Sequence, residues 1–117
     1  MAGITTNSFN VLNNTGATIE NVSVSHAASG HPTMTWSAGS MAPNTLSPTT
    51  AFATDGGSTD NWSVTFLLDG ELLTGTCGCG YETEDYSKNA VVVLNPKQWN
   101  VIMPVSSSCE DKDYHQG

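Results

Sequence analysis

Apolar residues in this chain recur at every second position, in short runs broken by turn residues, and no stretch repeats at helical spacing. SFNVLNN sets Phe9, Val11 and Asn13 on one face of a strand, and Asn-Thr-Gly then turns the chain. TIENVSVSHA alternates through Ile19, Val22 and Val24. The step from Ile19 to Val22 breaks the period of two, which predicts a bulge near Glu20-Asn21. PTMTWSAG alternates through Met34 and Trp36, and SPTTAFATDGG holds a short strand around Phe52. The strongest signal is DNWSVTFLLDGELLTGTCG. There Trp62, Val64 and Phe66 alternate, Asp69-Gly70 is a two-residue hairpin turn, and Leu72-Leu73 opens the return strand. NAVVVLN reads as a buried strand, and WNVIMPV closes the pattern with Trp99, Val101 and Met103 on one face.

About seven or eight short strands at roughly ten-residue spacing predict an all-β fold, a single antiparallel β-sandwich. No linker or internal repeat divides residues 1–117, so one domain is expected, with a polar tail over about 106–117 that frays.

Charge changes the picture of partners. Eleven acids stand against three lysines (Lys88, Lys97 and Lys112) and no arginine, for a net charge of −8. Such a surface repels phosphate backbones and anionic membranes, so nucleic acid is excluded as a partner class. Uncharged glycans and zwitterionic lipids remain. No apolar run approaches the roughly 20 residues that span a bilayer, so no transmembrane segment is expected. MAGITTNSFN has neither the basic start nor the apolar centre of a leader, and a cytoplasmic location is the expectation. The alternative is a chain exported with its leader removed or by an unconventional route. The sequons that begin at Asn13, Asn21 and Asn61 matter only in that second case.

The densest chemistry lies in TGTCGCGYETEDYS, residues 74–87. On a strand, Cys77 and Cys79 share a face. A C-x-C step lacks the usual zinc spacing, and a disulfide within it closes a very small ring. Either cysteine can pair with Cys109 in an exported chain, leaving one free thiol. The favoured reading is three small, semi-buried thiols in a reduced protein. Glu82, Glu84 and Asp85 are weak candidates for a metal, since loop carboxylates hold Ca²⁺ but no EF-hand spacing is present. No metal and no cofactor are expected. No nucleophile elbow or H-E-x-x-H spacing accompanies the serines and histidines, so catalysis is not expected either.

Aromatic residues are the better binding candidates. Tyr81 and Tyr86 flank the acidic turn, outside the strand pattern, and are read as an exposed binding edge. Trp36 and Trp62 lie in alternating runs and are core candidates first, with a second reading at a sandwich end, where indoles meet sugar rings or interfacial lipid.

NNTGATIENVSVSH, TDNWSVTF, ETEDYSKNAVVVL and WNVIMPVSSSC together resemble a small group of fungal and nematode proteins, named for up-regulation in long-lived insulin-receptor mutants of the nematode. The first half also resembles, more distantly, the aegerolysins, acidic β-sandwich proteins of fungi and bacteria. The likeness runs over roughly residues 9–109, and the chain lacks much of the Trp- and Tyr-rich second half of the aegerolysins. It implies a non-enzymatic recognition protein for a neutral or zwitterionic membrane lipid headgroup, acting in defence or stress. Two other readings stand beside it. One is a small glycan-binding lectin, from the polar Asn/Thr/Gly-rich loops. The other is a self-associating structural protein, a homo-oligomer joined at strand edges that few lysines protect.

Overall fold

The alternating runs fold as strands in the computed structural model, which describes residues 7–28, 31–52, 60–85, 87–106, 109 and 111–116, without the side chains of 83, 115 and 116. In chain order the strands are β1 (Asn7–Asn13), β2 (Ile19–Ala28), β3 (Met34–Met41), β4 (Thr50–Phe52), β5 (Asp60–Leu68), β6 (Glu71–Gly78), β7 (Asn89–Leu94), β8 (Gln98–Ile102), β9 (Lys112–Asp113) and β10 (His115–Gln116). One turn of 3-10 helix, Thr83–Asp85, stands between β6 and β7. Two five-stranded sheets result, in the orders β4-β1-β7-β8-β9 and β10-β6-β5-β2-β3, packed together as a sandwich.

Local signals hold where they were strongest. The β5–β6 hairpin pairs Leu68 with Glu71 across Asp69-Gly70, whose φ values of 52° and 79° are both positive, as a tight primed turn requires. Asn21 sits at φ 50° where the β2–β5 register shifts between Glu20 and Ser23, so the bulge is real. The inner faces are those the period of two selects: Phe9, Val11, Ile19, Val24, Phe66, Val92, Leu94, Trp99 and Val101 are fully buried.

Three features depart from expectation. First, β1 and β7 pair in parallel, from Ser8↔Asn89 to Asn13↔Leu94, while the other pairings are antiparallel. Turn residues announce hairpins, but nothing local announces a pairing between distant segments. Second, the polar tail is stitched to both sheets. β9 extends one sheet through Trp99↔Lys112, and β10 extends the other through Thr74↔His115. Between them Tyr114 packs edge-on against Phe66, with ring centroids 5.2 Å apart, and its hydroxyl donates to the Asn95 carbonyl at 2.8 Å. One aromatic anchor thus holds a segment whose composition reads as fraying. Third, the two short tail strands bring the number of strands among the described residues to ten.

Gly75 carries a packing constraint. A Cβ there would lie 2.2 Å from Nε1 of Trp99, so the absent side chain is what admits the indole between the sheets. At the end of the sandwich that holds the β1–β2 and β3–β4 loops, the fully buried Asn13 ties those loops together. Its Nδ2 lies 2.8 Å from the Ala17 carbonyl and 3.0 Å from those of Met41 and Ala42, and its Oδ1 accepts the Thr15 hydroxyl at 2.7 Å.

Candidate functional site

The buried polar chemistry gathers at the opposite end, where β2 and β6 finish and β5 and β7 begin. Asp60, the first residue of β5, is fully buried. Its Oδ1 lies 2.7 Å from Nε2 of the equally buried His26, and its Oδ2 accepts the Tyr81 N–H at 2.7 Å. Its carbonyl accepts the Cys79 N–H at 2.9 Å. The His26 ring rests against Phe52 and Trp62, with centroids 4.1 and 4.7 Å away, and its Nδ1 has no hydrogen-bond partner among the described residues. Closed off by aromatic rings, this pair acts as a tether between β2, β5 and the segment after β6.

Tyr81 is the second pillar. It is fully buried, so the expected exposed edge is not formed by this residue. Its ring packs on Phe52 at 4.9 Å, and its hydroxyl sits between the carbonyl oxygens of Asp85 and Lys88, 2.5 Å from the latter. Burial pushes the phenol up to about 12; the hydrogen bond to Lys88 works against that shift, and the carboxylates of Asp85 and Asp60 add to it. Tyr86, its expected partner, lies outside the described residues.

Asp85 is not a free carboxylate offered to a cation. Its Oδ1 accepts the N–H groups of Val105 and Ser106, each at 2.9 Å. Its Oδ2 accepts the Ser106 hydroxyl at 2.5 Å and the Glu82 N–H at 2.9 Å. Burial alone would raise its pKa, but these four donors outweigh burial and hold it below the usual carboxylate range. Among the described residues no group of three or more His, Cys, Asp or Glu side chains is placed to hold a metal ion.

The cysteines are also corrected. Cys79 and Cys109 are disulfide-bonded, with Cα atoms 5.9 Å apart, and only Cys77 is a free, buried thiol. The favoured reading of three semi-buried thiols in a reduced protein does not hold, because the return of the chain after β8 brings Cys109 back beside the end of β6. Burial pushes the Cys77 thiol up, and the nearby Lys112 charge works weakly against it. Trp62 is fully buried, its Nε1–H donating to the Cys79 carbonyl at 3.0 Å, so it is core and not a binding surface. Trp36 is half-buried on β3, three strands along the sheet from β6.

What this framework presents to solvent is a shallow groove of about 530 Å³ lined by Gly80, Glu82, Glu84, Val105 and Ser106. The Asp85 hydrogen bonds fix both of its walls, and the disulfide fastens the segments that carry them. Glu82 is half-buried and Glu84 exposed, and both residues line this one groove. Val105, 51% exposed, adds an apolar contact opposite them. Sequence reasoning missed Ser106, Val105 and Gly80. Only long-range pairing brings Ser106 to Asp85, and no short-range pattern carries it.

No protein-family model matches this sequence, and no curated protein matches it.

Proposed function

We propose that the protein is a non-enzymatic recognition module that binds a neutral or zwitterionic membrane lipid headgroup in the groove between the 3-10 turn and the loop after β8. The observation that carries this reading is the groove itself: two carboxylates, Glu82 and Glu84, on a floor held rigid by Asp85. A carboxylate rim favours a headgroup with a cationic end, and the net charge of −8 disfavours one that is anionic overall. Val105 offers apolar contact to the neighbouring methylene groups. The resemblance to aegerolysins points the same way, toward a role in defence or stress. The Cys79–Cys109 bond supports work in a compartment where thiols are oxidised, rather than in the cytoplasm.

Vesicle flotation tests the reading. Choline-headgroup vesicles should carry the protein up, and Glu82→Gln/Glu84→Gln should stay at the bottom. Failure to float with any neutral or zwitterionic vesicle contradicts it, and a signal on a glycan array in that case would put sugar recognition in its place.

A further inference from the structure

Three of the four outer edges of the sandwich are stubs: β4 has three residues, and β9 and β10 two each. The fourth, β3, is eight residues long and pairs, among the described residues, with β2 alone. Sheets protect such edges with short strands, lysines, prolines or charge. Met34–Met41, MTWSAGSM, has no lysine, no proline and no charge. None of the eleven acids lies on it, so a second acidic chain meets no like charge from this strand.

We propose that β3 is the interface to a second copy of this chain, the two β3 strands pairing antiparallel across a two-fold axis with Ser37 opposite Ser37. The faces require inner residues beside inner ones, and side-chain size selects among the registers that do this. Met34, Trp36 and Ala38 are half-buried on the inner face, and Thr35, Ser37 and Gly39 are exposed on the outer one. With Ser37 on the axis, Trp36 stands beside Ala38 and Thr35 beside Gly39, each larger side chain next to a smaller one. Opposed residues in such a pair stand about 4.5–5.5 Å apart, so this large-to-small match is what close pairing needs. Gly39 has open space where a Cβ would be, so a facing side chain has room at that position. The interface is self-complementary, as two-fold pairing requires, and joins the two β10-β6-β5-β2-β3 sheets into one.

Sedimentation velocity at physiological salt, from micromolar to millimolar protein, tests this. The wild type should rise from 12.3 kDa toward twice that mass. Acrylamide quenching should fall in parallel, because Trp36 is the one tryptophan that is not fully buried and it lies at the seam. Ser37→Lys and Ser37→Glu should each stay monomeric, and their equimolar mixture should dimerise. Ser37 is exposed, so unchanged circular dichroism and melting will show that the variants fold. A wild type that stays at monomer mass throughout overturns the proposal. So does a Ser37→Lys that dimerises like the wild type, and a mixture that fails to pair overturns the register.

Discussion

Asp85 accepts both the backbone N–H of Ser106, at 2.9 Å, and its hydroxyl, at 2.5 Å. Two segments that the sequence keeps apart, the 3-10 turn and the loop after β8, thereby become the two walls of one groove. The carboxylate, not the tyrosine beside it, is what organises the loop end of the sandwich.

Asp85→Asn should therefore cost more than a surface substitution. It leaves N–H donors facing an amide that also donates, and a charged hydrogen-bond acceptor is lost. A destabilisation of about 2–3 kcal/mol is expected, read as a lower urea midpoint at unchanged slope. Ser106→Ala should cost about 1 kcal/mol. The pH dependence follows from the lowered Asp85 pKa. Its contribution is present above the ordinary carboxylate value of 3.8 and is lost as pH falls further, through its folded value. Acid unfolding of the wild type should show this loss, and Asp85→Asn should not.

The disulfide closes a loop with a sequence separation of 30, and its removal by Cys79→Ser/Cys109→Ser should destabilise by about 3–4 kcal/mol on loop-entropy grounds. Alkylation followed by intact mass gives an independent check. Native protein should take no label; unfolded, unreduced protein should take one, at Cys77; and reduced protein should take three. Three labels without reductant would contradict the pairing.

Two glycines should behave oppositely. Gly75→Ala places a methyl 2.2 Å from Trp99 Nε1 and should destabilise by about 1–3 kcal/mol or more through overpacking. Gly39→Ala meets open space on β3 and should be neutral or stabilise by a few tenths of a kcal/mol. Thermal melts of the two variants decide the point.

Tyr81→Phe removes a hydroxyl that two carbonyls share and should cost about 1–2 kcal/mol. The Tyr81 phenol is raised in the folded state, so its contribution is full below its ordinary value of 10.0 and is lost as pH climbs toward about 12. Ultraviolet titration should show this tyrosine ionising late, together with Tyr114, which burial also raises.

Much of the fold was legible because its signals are local. The Asp69-Gly70 turn, the Glu20-Asn21 bulge and the inward faces of β1, β2, β5 and β8 all follow from neighbours in sequence. The parallel β1–β7 pair and the docking of the tail by Tyr114 do not, since each depends on a partner far along the chain. The site divides in the same way. Glu82 and Glu84 were visible as an acidic turn. Tyr81 was misjudged because an aromatic outside the alternating pattern reads as exposed; its ring instead enters the core from a loop, with Asp60 and two carbonyls meeting its polar groups. Asp85 was misjudged because a loop carboxylate reads as solvated until the N–H groups of Glu82, Val105 and Ser106 are seen to surround it.

Equilibrium titration of the protein with choline-headgroup vesicles tests the central claim most directly, with wild type beside Glu82→Gln/Glu84→Gln and vesicles of anionic lipid as the comparison. Saturable binding to the zwitterionic surface, lost in the variant and absent on the anionic one, is the result predicted for headgroup recognition in this groove. Equal binding by the variant, or none by the wild type, would contradict it.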